Sequence, residues 1–244
     1  MAQMALGGPS SVAAAPALES VRVRHAATVR VTHWMTALCF VALLVTGVEI
    51  LISHPRFYWG ETGNVNTHPL FIIPIPASRA TVPTGYGYVL PDQNGWSRYL
   101  HFQSAWLLVF TGAAYLLYGF AKGHFRRNVL PAGRDLSGAS LAAVFRGRQD
   151  AWSYNVIQRL TYMAVIFGLF PLVLWTGLAM SPAVVSAVPA VVTILGGQQS
   201  ARTIHFFVSV LLLAFVLVHI AMVVLAGFRT RVGAMITGRA RRDV

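Results

Sequence analysis

Four stretches of about 20 residues, nearly free of charge, leave this chain few ways to fold. They run Trp34–Ser53, Phe102–Ala121, Leu160–Met180 and Phe206–Phe228. Crossing roughly 30 Å of hydrocarbon as a helix takes about 20 mostly apolar residues. The first stretch carries one charge, Glu49. Charged residues make up only 11% of the chain, under half the usual share of about 25% in soluble domains. A soluble core does not need that composition, but a bilayer does. The reading is therefore an all-α membrane protein, a four-helix transmembrane bundle with spans at about 31–53, 98–121, 157–181 and 202–228. A fifth apolar run, AVVSAVPAVVTIL from Ala183, is too short to cross and carries Pro189 in its middle. It is read as an interfacial or re-entrant piece. Pro171 is expected to kink the third span.

The net charge of +12 is placed by topology. Arg22, Arg24 and Arg30 precede the first span. Lys122, Arg126, Arg127, Arg134, Arg146, Arg148 and Arg159 lie between spans two and three. Arg229, Arg231, Arg239, Arg241 and Arg242 follow span four, whereas the other two connections hold only Arg56, Arg79, Arg98 and Arg202. Basic residues favour the cytoplasmic side, so both termini and the 122–159 loop are expected there, and the long 54–95 loop on the periplasmic side. The protein is then a multi-pass membrane protein, in contact with lipid. Nucleic-acid binding is excluded, because the basic residues stand where topology requires them. Residues 1–24 lack a basic n-region and a long apolar core, and are read as a disordered tail. Residues 25–230 form the bundle and 231–244 a basic C-terminal tail. The single cysteine, Cys39, lies within the first span and reads as a small buried hydrophobe.

Eight histidines then acquire depths. His54 and His68 fall in the outer loop, and His25 and His124 lie at inner polar segments. His33 stands at the cytoplasmic start of span one, and His101 at the outer start of span two. His205 and His219 share span four. Fourteen residues of helix rise about 21 Å through nearly four turns, so these two project from one face at two depths. His101 is the available outer partner for His205, and His33 the inner partner for His219. Two levels of two imidazoles each are what two stacked haems require. Ionisable residues at membrane depth are costly and mark functional paths, and ligation to iron offsets the cost. Gly47 lies fourteen residues beyond His33, at the outer level. Gly112 lies eleven beyond His101 and descends toward the inner one. Either these glycines let their helices pass close to a macrocycle, or they are ordinary small-residue packing. Iron with both axial positions filled by protein nitrogen has no open site for substrate and carries electrons.

His33, His101 and the His205/His219 pair resemble the bacterial di-haem b-type cytochrome family. It includes the cytochrome b561-like proteins and the membrane cytochrome b subunits of hydrogenase, formate dehydrogenase and thiosulfate reductase. The resemblance covers roughly residues 25–230. It implies two haem b groups, the outer held by His101 and His205 and the inner by His33 and His219. It also implies a quinone, menaquinone or ubiquinone, near one haem (commonly the inner) and an extracytoplasmic redox partner at the other. The outer loop, rich in Pro, Gly and aromatics, resembles that of cytochromes serving a periplasmic molybdopterin oxidoreductase. A structureless loop of this length is uncommon unless it functions. It is read as a docking cap for a periplasmic enzyme or an iron–sulfur or molybdopterin subunit, with a self-packed lid as the alternative.

Several residues stay open at this point. Glu49 either neighbours a haem propionate, helps move a proton or reaches the interface. Arg30, Trp34 and Arg126 lie near the inner level and suit propionates or a quinone, although topology and snorkelling explain the arginines equally. Span three has no histidine and is assigned to packing. The leading function is a transmembrane electron-transfer subunit linking a periplasmic oxidoreductase to the quinone pool. The alternative is a stand-alone superoxide- or small-reductant:quinone oxidoreductase, against which the long outer loop argues. A metal or haem transporter would show internal repeats around one midplane site, and this chain shows neither.

Overall fold

In a computed structural model the described residues are 22–23, 25–64, 66–74, 94–126, 130 and 156–240. Among the described residues four helices are long and apolar enough to cross a membrane: Ala27–Ser53, Gly95–Ala121, Gln158–Ala179 and Gln198–Leu225. The chain is an integral, multi-pass, all-α membrane protein. Its first helix is α1 (Ala27–Ser53), followed by α2 (Asn94–Ala121). Span three is built from α3 (Val156–Ala164), a π-helical turn (Val165–Leu169) and α4 (Phe170–Ala179). Two short helices, α5 (Pro182–Ala187) and α6 (Ala190–Thr193), lead to α7 (Gln198–Leu225) and α8 (Phe228–Thr237).

The helices begin and end where chemistry changes. α1 stops at Ser53, before the polar His54–Pro55 step. The irregularity expected at Pro171 takes the form of the π turn directly before it. Proline has no N–H to return to the carbonyl four residues earlier, and a wider turn accommodates that loss. The run from Ala183 is neither a span nor one helix. It breaks at Val188–Pro189 into α5 and α6, and Trp175 Nε1 ties it to span three by donating to the Val191 carbonyl at 2.9 Å. Val192 is buried there against Ala179 and Ala201.

α1 packs chiefly on α2, and α4 on α7. The residues buried between the spans are mostly small, among them Thr46, Thr111, Thr176, Ser97, Ser104, Cys39 and Ala179. Large apolar side chains such as Leu38, Leu117, Phe120 and Leu225 point outward. In water this inversion would be ruinous, but lipid solvates the outer face and small residues let helices approach.

Both ends carry additional structure. At the outer end, strands β2 (Arg56–Phe57) and β3 (Phe71–Ile72) pair antiparallel, and the loop beyond β2 seats on the start of α7. The first N–H groups of α7, which lack partners within the helix, are met by Gly60: Gln199 and Ser200 donate to its carbonyl at 3.0 and 3.2 Å. Gly60 N–H returns a bond to Ser200 Oγ at 2.8 Å, and Thr203 Oγ1 donates to the Tyr58 carbonyl at 2.7 Å. Gly197 is required here, since its φ is +112° and a Cβ would lie 2.6 Å from the Gly60 backbone. Phe57, Tyr58, Gly60 and Phe71 are thus packed onto α7, and residues 65 and 75–93 of the 54–95 loop lie outside the described residues.

At the basic end, β1 (Arg22–Val23) pairs antiparallel with β4 (Arg239–Ala240). Arg30 donates to the Ile236 carbonyl, and Trp34 Nε1 to the Met235 carbonyl at 3.3 Å. The segment read as a tail from residue 231 therefore includes most of α8 and a strand that clasps the start of the chain. The rest of the N-terminal tail lies outside the described residues.

Candidate functional site

The structure brings together the four span histidines in two pairs. The rings of His101 (α2) and His205 (α7) have centroids 6.4 Å apart, and those of His33 (α1) and His219 (α7) are 6.3 Å apart. Each pair joins different helices, and α7 contributes to both. His219 is flanked by Phe215 and Tyr162, at 5.8 and 6.5 Å between ring centres. His33 meets the edge of Trp34 at 5.3 Å.

These separations suit a metal held between two rings. A first-row metal sits about 2.0–2.1 Å from an imidazole nitrogen, itself roughly 1.1 Å from its ring centre, so two axial rings should be centred about 6.3 Å apart. Among the described residues no group of three or more His, Cys, Asp or Glu side chains could hold a metal ion. Two ligands alone hold a bare ion poorly. A macrocycle that brings its own four nitrogens needs only those two.

Hydrogen bonds set the outer rings for that role. Thr46 Oγ1 bonds its own helix through the Ala42 carbonyl at 2.7 Å, which uses its single proton. The 2.9 Å contact with His101 Nδ1 must then be donated by the imidazole. Likewise Thr176 Oγ1 donates to the Leu172 carbonyl at 2.8 Å and receives His205 Nδ1–H at 3.0 Å. The Val173 carbonyl, which can only accept, lies 3.1 Å from the same nitrogen. Both Nδ1 atoms thus carry the proton, and both Nε2 lone pairs are left for a metal. At the inner pair, His33 Nδ1 is buried without a hydrogen-bond partner.

The glycines divide. A Cβ on Gly47 would lie 3.7 Å from His101 Cε1, which puts Gly47 at the outer level. A Cβ on Gly112 would meet nothing within 4 Å, so no protein atom crowds it. Gly177 escaped the sequence reading, yet a Cβ there would lie 3.6 Å from His205 Cε1. Thr46 and Thr176 escaped it too, and span three, assigned to packing alone, supplies both acceptors of His205 Nδ1. A signal was present: within the spans the dipeptide Thr-Gly occurs at 46–47, 111–112 and 176–177. In the first and third cases the hydroxyl orients a histidine of a neighbouring span, and the glycine makes room for its ring.

Glu49 does not reach outward with its whole carboxylate, since Oε2 is buried without a hydrogen-bond partner. At the outer surface His54, at the end of α1, has Arg98 Nη2 3.3 Å from its Nε2, and Arg202 donates to its carbonyl. Burial, then Arg202, then Arg98 hold the His54 pKa below its ordinary value. Arg126, at the basic end, is exposed.

A bundle of four membrane-crossing helices with two facing imidazole pairs is the architecture of a b-type membrane cytochrome. The chain matches the prokaryotic cytochrome b561 family over residues 24–238 and belongs to it; the family is one of integral membrane electron-transfer proteins that bind haem b. It is also similar to a protein of Azospira oryzae that carries the provisional name protein-methionine-sulfoxide reductase subunit YedZ1. The two are 31% identical over 217 residues, or 88% of this chain and 96% of the relative. No solved structure matches the chain.

Proposed function

We propose that this chain holds two b haems, one at each membrane face, and serves as the membrane subunit that exchanges electrons between a periplasmic oxidoreductase and the quinone pool. The reading is carried by one observation: two imidazole pairs, centred 6.4 and 6.3 Å apart, set fourteen positions apart along α7 at His205 and His219. His101 and His205 would hold the outer haem, and His33 and His219 the inner. Bound there, haem supplies a one-electron iron centre with no open coordination position. The protein's part is to orient and insulate. Thr46, Thr176 and the Val173 carbonyl hold Nδ1–H of the outer rings. Gly47 and Gly177 admit those rings, and Phe57, Phe71 and Phe206 pack together over the outer end of α7, at 4.6–5.9 Å between ring centres.

The partner is a periplasmic enzyme seated on the 54–95 loop. The Azospira relative is named as a subunit of a protein-methionine-sulfoxide reductase, which makes that reaction the first to try for the partner of this chain. A quinone would be served at the inner pair, where Trp34, Arg30 and Arg126 stand at the basic end.

The test is haem stoichiometry followed by single replacements. Pyridine haemochrome analysis of the purified protein should give two b haems per chain. His101→Ala and His205→Ala should deplete one spectral component, His33→Ala and His219→Ala the other. A single haem per chain, or a common component lost from His33→Ala and His101→Ala, would overturn the assignment. Purification of the tagged chain from its native membrane should bring a stoichiometric redox protein with it, and its absence would favour a stand-alone oxidoreductase.

A further inference from the structure

Three of the four paired histidines are preceded, three residues earlier and toward the nearer membrane face, by an arginine: Arg30 before His33, Arg98 before His101, Arg202 before His205. Three residues of helix advance about 4.5 Å and leave the two side chains within about 60° of each other. Each arginine therefore stands one turn beyond its histidine, near the same face.

At the outer end two of them converge. Arg98 Nη2 is 3.3 Å from His54 Nε2, and Arg202 donates to the His54 carbonyl while its guanidinium lies 4.9 Å from the centre of the Phe57 ring. An arginine of α2 and an arginine of α7 thus both contact His54 at the end of α1, one turn beyond the outer imidazole pair. Two like charges drawn to one residue repel one another. An anion at that spot relieves the repulsion, and topology gives no account of the convergence, because the outer face is the one poor in basic residues.

We propose that Arg98 and Arg202 form a carboxylate-binding cleft at the outer end of the bundle that takes the propionates of the outer haem. The proposal rests on the reading that His101 and His205 hold that haem. Haem carries two carboxylates on one edge, and the planar guanidinium fork matches a carboxylate through two parallel N–H bonds. Because each arginine rides on the same helix as a ligand histidine, the cleft and the iron-binding nitrogens keep a common register. The inner end differs. Arg30 is the single arginine in that position, its guanidinium already donates to the Ile236 carbonyl, and its buried Nε has no hydrogen-bond partner.

The experiment uses the full chain in two arms. In the first, wild type, Arg98→Gln and Arg98→Lys are titrated potentiometrically as isolated. Loss of positive charge beside a carboxylated macrocycle disfavours the reduced iron, so Arg98→Gln should lower the potential of the component that His101→Ala removes. The other component should stay in place, and Arg98→Lys should recover most of the shift. In the second arm, haem-stripped protein is reloaded with haem b or with its dimethyl ester, in which both propionates are blocked. Arg98→Gln should weaken outer-site retention of haem b about tenfold and leave retention of the ester at the wild-type level. Equal weakening for both forms would mean Arg98 acts only through packing, and would overturn the proposal. No change for either would assign the cleft to another anion such as a lipid phosphate, and would overturn it equally. Arg98→Gln is preferred to Arg202→Gln because Arg202 also fastens the outer loop. Failure of the parent reading looks different: wild type itself would carry fewer than two haems, or keep both in His101→Ala.

Discussion

Thr46→Val tests how the outer histidines are set. The substitution nearly preserves shape and removes the hydroxyl that accepts His101 Nδ1–H at 2.9 Å. That hydroxyl is the acceptor found for His101, whereas His205 Nδ1–H has two, Thr176 Oγ1 at 3.0 Å and the Val173 carbonyl at 3.1 Å. Stranding a buried N–H costs about 1–3 kcal/mol in stability. The redox effect is the difference between oxidised and reduced states. An acceptor on Nδ1–H makes the imidazole a stronger donor and favours the oxidised iron, so losing it raises the potential. If about 1 kcal/mol of the bond is specific to the oxidised state, the rise is roughly 40 mV, since about 59 mV per electron corresponds to a tenfold change. Thr176→Val should move the potential by less than half as much, because the Val173 carbonyl remains. Potentiometric titration followed in the haem absorption, with the affected component identified by its loss in His101→Ala, reads both. A shift for Thr176→Val equal to or above that for Thr46→Val would refute the reasoning. So would a fall for Thr46→Val, or movement confined to the component that His33→Ala depletes.

Three further expectations follow from local geometry. A Cβ on Gly47 sits at an ordinary contact distance of 3.7 Å from the His101 ring, so Gly47→Ala should keep full haem content, while Gly47→Leu should lose the outer component; haemochrome analysis distinguishes them. Gly197→Ala combines a φ of +112° with a Cβ 2.6 Å from the Gly60 backbone, and should destabilise the outer loop by about 1–3 kcal/mol, seen as faster proteolysis within residues 54–74. His54 has a folded pKa below its unfolded value of about 6.5, so its burial costs no protonation energy above that pH. As pH falls below about 6.5 the unfolded chain gains a proton that the folded chain resists, and stability drops. His54→Gln should flatten that acid-side loss in thermal unfolding between about pH 6.5 and pH 5.

Much of the architecture was legible in advance because lipid imposes so few solutions. A run of 20 apolar residues must be a helix there, and the arginines state which end faces inward. The depth of His205 and His219 followed from a rise of about 1.5 Å per residue. The same arithmetic placed Gly47 at the outer level. It failed for Thr46, Thr176 and Gly177, because a threonine in an apolar helix looks like filler until its neighbour across the bundle is known. It also missed that span three, with no histidine of its own, holds one of span four. The outer loop read as long and irregular, while its first part is fastened to α7 through Gly60, Ser200, Tyr58 and Thr203.

The sequence by itself determined the number of spans, their direction and the levels at which imidazoles stand, since these depend on hydrophobic length, charge asymmetry and helix pitch. Only the tertiary structure decided which atoms face those imidazoles. The threonine hydroxyls that set the outer tautomers and the two arginines that meet at His54 come from helices distant along the chain. Their meeting depends on how each helix is rotated about its own axis. Helix rotation in lipid is set by packing between small residues, because the apolar surround exerts no preference of its own.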